Sequence, residues 1–176
     1  LEPLRVAHAE EMLFVLGDAA LHEYTGGAPP TLTELRARYA RQAGGRSPDH
    51  DEGWLNWIVR ERVHLTAVGT VQATLVHEED DMVAEVAWVI GVRHQRRGYA
   101  SEAATAMVAW LSRHDAMTVE ARIQPQHVAS IAVATRLGLT TTPTVIGGES
   151  RWTGRAAGPR PGRRGRPDGT QGRALP

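Results

Sequence analysis

Apolar residues recur at helical spacing over Ala9–Leu16, with Met12, Leu13 and Leu16 along one side, and predict a first helix. A loop follows at Gly26-Gly27-Ala28-Pro29-Pro30. Thr31-Leu32-Thr33-Glu34 then has the capping-box form, a threonine three residues before a glutamate, and opens a second helix that runs to about Gln42. Gly44-Gly45 ends it. From Trp54 the period changes. Trp54–Val59 and Thr66–His77 are rich in aromatic and β-branched residues and read as strands, with Gly69 as a candidate bulge. The acidic run Glu78-Glu79-Asp80-Asp81 reads as a hairpin tip, and Val83–Val92 as the returning strand. Ala100–Arg113 has an inner helical face of Ala103, Ala104, Met107, Val108 and Leu111. Thr118–Gln124 is a strand, His127–Leu137 a helix stopped by Gly138, and Thr144–Ile146 with Ser150–Trp152 a hairpin around Gly147-Gly148.

Strands joined by short turns pair antiparallel, whereas strands joined through a helix pair parallel with a right-handed crossover. The pattern therefore predicts a mixed α/β sheet, mostly antiparallel, flanked by helices, with a ligand site at a strand–helix junction. The 176 residues suit one domain. The chain has no cysteine, so neither a disulfide frame nor a thiolate metal site is available. The lone histidines His50, His64, His77 and His114 have no metal-ligand spacing. No run of about 18 apolar residues offers a membrane span, and Leu1–Arg5 has no signal-peptide pattern. A cytoplasmic protein is expected. The first residue is not methionine, which suggests that the start is missing.

The net charge is zero but unevenly spread. Residues 154–176 hold six Arg, one Asp, six Gly and four Pro, so this stretch carries +5 and the rest −5. Such a composition cannot bury enough apolar surface to offset its ordering entropy. The expectation is a folded unit over 1–153 and a disordered basic tail over 154–176. The tail could serve as an electrostatic arm for nucleic acid, but it has no aromatics and no repeat, so nucleic acid is the less favoured partner.

The segment richest in candidate chemistry is Gln95-Arg96-Arg97-Gly98-Tyr99-Ala100-Ser101, between a strand and a helix. A helix start leaves about four backbone N–H groups without partners, and its dipole favours negative charge. With Gly98 permitting close approach and Ala100 small, these groups form a cradle for a pyrophosphate, and Arg96 and Arg97 add positive charge at its mouth. The competing reading is a solvated Arg-Arg-Gly turn. A Walker-type loop and a dinucleotide fingerprint both lack their required glycine and lysine patterns here.

The Gln95-x-x-Gly98-x-Ala100 pattern, following Ala87-Trp88-Val89-Ile90, resembles that of the GCN5-related N-acetyltransferase (GNAT) family. The stretch Pro125-Gln126-His127-Val128-Ala129-Ser130, with its helix ending at Leu137-Gly138-Leu139, is similar to the branch that includes ribosomal-protein N-acetyltransferases. The resemblance is good over 54–152 and looser over 1–53. It implies the acyl-CoA N-acyltransferase fold, in which a parallel pair of strands splays apart. It also implies acetyl-CoA as co-substrate, no metal, and direct transfer of acetyl to an amine, either a small molecule or a protein N-terminus. A silent acetyl-CoA-binding module and a homodimer stay open.

On that resemblance, the exposed backbone of Trp88, Val89 and Ile90 would pair with the pantetheine amides, and Gln95 to Ser101 would hold the phosphates. His127 stands where the family commonly has asparagine and would hydrogen-bond the cofactor; the alternative is a histidine facing water. Ser130 would protonate the leaving thiolate; the alternative is first-turn capping. Glu85 is the candidate base, with a pKa raised if it is buried among Val86, Ala87 and Trp88; the alternative is a surface strand residue. Glu102 is read as a first-turn helix carboxylate that favours the dipole. The tyrosine many members carry four residues before the helix-ending glycine is Ala134 here. His22, Glu23, Tyr24, Trp54 and Trp57 are available to line an acceptor pocket.

Overall fold

The computed structural model describes residues 1–78, 81–114 and 118–156. Strands β1 (Glu2–Pro3), β2 (Gly53–Arg60), β3 (Ala67–Glu78), β4 (Asp81–Ile90), β5 (Thr118–Ile123), β6 (Thr140–Ile146) and β7 (Glu149–Arg155) form one sheet in the order β1-β2-β3-β4-β5-β7-β6. Only β4 and β5 run parallel; every other neighbouring pair is antiparallel. Helices α1 (Ala9–Leu16), α2 (His22–Thr25), α3 (Leu32–Gln42), α4 (Tyr99–Leu111) and α5 (Val128–Arg136) complete the unit.

The sheet is covered on both faces. On one, Ala103, Met107, Val108 and Leu111 of α4 and Ala134 of α5 pack on Val71, Ala84, Val86 and Val119. On the other, Met12 and Val15 of α1 and Leu35 and Tyr39 of α3 pack on Ile58 and Ala67. Strand alternation follows the expected parity. Ala84, Val86 and Ile90 of β4 enter the first core, with Trp88 partly buried against it, while Val89 packs against the second. The capping box opening α3 is present: Thr31 Oγ1 accepts from the Glu34 amide at 3.3 Å, and the Thr31 amide donates to Glu34 Oε2 at 2.8 Å.

Three differences from the sequence expectations have physical causes. The bulge falls beside Gly69, where the register steps from Val59↔Gly69 to Arg60↔Ala67. A Cβ on Gly69 would lie 2.2 Å from the Val89 carbonyl oxygen, so close approach of β4 requires glycine there. Strand β6 starts at Thr140 and not Thr144, and its register breaks between Thr141 and Val145 around Pro143, which has no N–H to donate. Strand β7 runs through Arg155, so Gly154 and Arg155, assigned to the tail by composition, pair with Val119 and Thr118. Residues 157–176, and the Glu79-Asp80 part of the acidic turn, lie outside the described residues.

Candidate functional site

The site begins where the parallel pair comes apart. β4 and β5 pair at Val83↔Thr118, Ala84↔Val119 and Glu85↔Glu120. Beyond Glu85, β4 keeps pairing with β3 as far as Ile90, while β5 continues alongside β7 to Ile123. The facing edges of 86–90 and 121–123 have no ladder with each other. A gap between two strands thus exposes backbone donors and acceptors that a peptide-like ligand can pair with.

The gap leads to the start of α4. After β4, a 3-10 turn over Val92–His94 carries the chain to Gln95, whose side-chain amide donates to the Ile90 carbonyl at 3.0 Å and ties the loop to the strand end. Arg96 and Gly98 then take left-handed conformations, with φ of 59° and 85°. The first bond of α4 runs from the Glu102 amide to the Gly98 carbonyl at 3.0 Å. The amides of Tyr99, Ala100 and Ser101 therefore have no acceptor within the helix, and the dipole start lies with them. A Cβ built on Gly98 would meet nothing within 4 Å, so the glycine faces open space and its role is conformational.

A cleft of about 430 Å³ joins these parts. Trp88, Val89 and Ile90 of β4 line it, as do Gln95, Arg96, Gly98, Tyr99, Ala100 and Ser101 of the loop and helix start, and His127 and Ser130 of α5. Ala20, Leu21 and Glu23 complete it. The Trp88 indole N–H donates to Ser130 Oγ at 3.3 Å, linking β4 to α5. An indole N–H can only donate, so Ser130 is the acceptor and its own hydroxyl proton is left for another partner. Nδ1 of His94, another lining residue, is buried and has no hydrogen-bond partner among the described residues. Burial pushes the His127 imidazole below its usual pKa, and the charge of Glu23 opposes that shift.

Two expected site residues are elsewhere. Glu85 is at the last paired position, on the face opposite Val86 and Trp88. Its side chain is 41% exposed and accepts from Arg122 at 2.7 Å. It does not line the cleft, and the burial expected for it is absent. Arg97 does not line the cleft either. Its guanidinium lies 5.2 Å from the Tyr99 ring centroid and 3.4 Å from Glu61 Oε1, to which the Tyr99 hydroxyl also donates at 3.0 Å. Tyr99 thus packs and bonds away from a catalytic role, and burial holds its pKa above the ordinary value.

Of the residues available for an acceptor pocket, Glu23 lines the cleft. Trp57 packs on the α4-side core with its ring centroid 5.6 Å from that of Trp110, and the Trp54 indole donates to Glu52 at 2.8 Å. The His22 ring bridges the Leu16 and Gly26 carbonyls and so fixes α2 beside the cleft. The side chain of Tyr24 lies outside the described residues. Position 134 is a fully buried alanine, which has no acidic group to offer. Sequence reasoning missed Ala20 and Leu21, short apolar positions whose only signal was their place before Glu23. Among the described residues, no group of three His, Asp or Glu side chains could hold a metal ion, and no helix is long and apolar enough to cross a membrane.

The sequence matches the acetyltransferase (GNAT) domain family over residues 1–140, four-fifths of the chain and the whole of the cleft. The chain belongs to the GNAT acetyltransferase family. Solved GNAT folds superpose on it well. An acetyltransferase of the GNAT family from Bacillus anthracis aligns with a TM-score of 0.70 at 18% identity, covering 88% of this chain and 93% of that one. The aminoglycoside acetyltransferase AAC(6')-Ib, solved in complex with coenzyme A, aligns at 0.69 and 14% identity, covering 88% and 92%. A Vibrio cholerae protein provisionally assigned as a ribosomal-protein-serine acetyltransferase aligns at 0.64 and 22%, covering 85% and 89%. At these identities the likeness establishes the fold and leaves the acceptor open. No curated protein matches the chain in sequence. The family match begins at residue 1, so it takes in residues 1–53, where the motif-based resemblance is looser.

Proposed function

We propose that this GNAT domain transfers the acetyl group of acetyl-CoA directly to an amine. The observation that carries the reading is the placing of the unpaired amides of Tyr99, Ala100 and Ser101 at one end of the gap between β4 and β5. The residues present suit the co-substrate. A pyrophosphate matches the helix-start amides and Arg96, a pantetheine amide chain matches the free edge of 86–90, and the orphaned Nδ1 of His94 awaits a polar partner.

Bound acetyl-CoA supplies an activated thioester. The chain's own residues bind and orient it, and Ser130, with its oxygen held by the Trp88 N–H, directs a proton toward the leaving sulfur. With no cysteine in the chain, no acetyl-thiol enzyme forms, which favours direct transfer. The GNAT neighbours with named acceptors include an aminoglycoside acetyltransferase. Small-molecule amines and protein N-termini are the acceptor classes proposed here.

Thiol release tests the reading, with acetyl-CoA and a panel of spermine, an aminoglycoside and a peptide with a free N-terminus. The expected result is amine-dependent thiol production. Tight acetyl-CoA binding with no turnover on any acceptor would leave a silent binding module in place of an enzyme.

A further inference from the structure

An aliphatic or N-terminal amine is largely protonated near neutral pH and must lose a proton before its lone pair can attack. A group in the cleft can take that proton, directly or through water. Among the described residues, the titratable side chains lining the cleft are Glu23, His94, Arg96, Tyr99 and His127. Arg96 has no site for a further proton, and the Tyr99 hydroxyl is committed to Glu61. His94 belongs to the turn that leads into the phosphate cradle. His127 is at the N-cap of α5, one helical turn before Ser130, so the two side chains share a face, and both line the cleft.

We propose that His127 is the catalytic base of this transfer and that Glu23, reaching the same cleft from α2, attracts the cationic amine and stabilises the imidazolium as it forms. This rests on the reading of the cleft as an amine acetylation site. A primary ammonium brings three protons on nitrogen. One proton passes to the His127 ring and on to solvent. The nitrogen lone pair forms the C–N bond to the acetyl carbonyl carbon while the C–S bond breaks and sulfur keeps the electron pair. As the C–N bond forms, His127, neutral again, takes a second proton from nitrogen; Ser130 passes its hydroxyl proton to sulfur and is restored from the imidazolium by way of solvent, and the amide keeps the third.

The surroundings fit a base that is neutral when needed. Burial lowers the His127 pKa from the ordinary 6.5, and Glu23 works against that lowering. Besides His127, the charged or titratable groups lining the cleft among the described residues are Glu23 from α2, His94 and Arg96 from the loop before α4, and Tyr99 at the start of α4. β4 contributes the uncharged Trp88 and Val89, and α5 adds Ser130 and Val133.

His127→Asn keeps hydrogen-bonding capacity while removing the titratable nitrogen, so it separates binding from catalysis. Acetyl-CoA affinity by isothermal titration should stay within about threefold, because an amide still donates and accepts. kcat/KM toward the amine should fall about 10²-fold or more, and the acid limb of its pH profile should vanish. In Glu23→Gln that limb should move to lower pH, since the charge that raises the imidazole pKa is gone. NMR titration of the His127 ring in the acceptor-free protein should show a midpoint below 6.5 that drops further in Glu23→Gln. An unchanged kcat/KM in a folded His127→Asn protein would overturn the assignment, as would loss of the acid limb in Glu85→Gln in place of His127→Asn. If the unmodified chain acetylates no amine, the acetylation reading fails and the base role with it. If it acetylates amines and His127→Asn does so with undiminished kcat/KM, only the base role fails.

Discussion

Gly98 lets backbone conformation and ligand charge be separated in one experiment. Its φ of 85° lies where L side chains are strained, yet a Cβ there would meet no atom within 4 Å. Gly98→Ala should therefore cost only the left-handed backbone penalty, about 1–2 kcal/mol, with no clash to add. For a domain of this size that is roughly 2–8 °C in Tm, at about 2–4 °C per kcal/mol. Gly98→Glu carries the same backbone cost and also sets a carboxylate beside the proposed phosphates. Two unit charges about 4 Å apart repel by about 1 kcal/mol in water and about 4 kcal/mol at a protein surface, so acetyl-CoA affinity should fall roughly 5- to 1000-fold below that of the alanine variant. Differential scanning fluorimetry reads the first quantity and isothermal titration the second. Equal Tm shifts with a large affinity gap are expected. If both variants bind acetyl-CoA equally well, the phosphates do not lie at this turn.

Other consequences are equally open to measurement. Gly69→Ala would drive a methyl into the Val89 carbonyl and part β3 from β4. Overpacking of this kind costs about 1–3 kcal/mol or more, so thermal unfolding should show a clear loss, and an unchanged Tm would contradict the register described. Trp88→Phe removes the N–H that holds Ser130. kcat should fall about 2- to 12-fold, the value of one neutral hydrogen bond, with KM for acetyl-CoA nearly unchanged, and in a Ser130→Ala background the same change should add little. Glu34 has its pKa lowered from 4.5 by the Thr31 amide and hydroxyl. A depressed carboxylate stabilises the fold above its unfolded pKa and loses that contribution as pH falls through the folded value. The stability deficit of Glu34→Gln in urea unfolding should therefore shrink as pH drops below 4.5, and a deficit that grows would refute the sign.

The parts of this molecule written in local pattern were legible in the sequence. The α3 capping box, the inner face of α4, the β4 alternation and the Gln95–Gly98–Ala100 turn each depend on neighbours within a few residues. What the sequence left dark depends on partners far along the chain. Glu85 shares its strand with core residues, but the pairing with Arg122, 37 positions away, holds it at the surface. Arg97 is two residues from the phosphate cradle, yet its guanidinium pairs with Glu61, 36 positions away. The Trp88–Ser130 bond joins residues 42 apart and carries no local signature. Ala20 and Leu21 line the cleft beside Trp88 and Ser130, residues far along the chain. The cradle is thus local chemistry, and the acid–base groups around it are set by tertiary placement.

The most direct test is a crystal structure of the chain with acetyl-CoA bound. Pyrophosphate oxygens are expected within about 3.2 Å of the amide nitrogens of Tyr99, Ala100 or Ser101, with the pantetheine lying along residues 86–90 of β4. Phosphates bound away from the start of α4, or a gap between β4 and β5 left empty by the bound molecule, would contradict that placement.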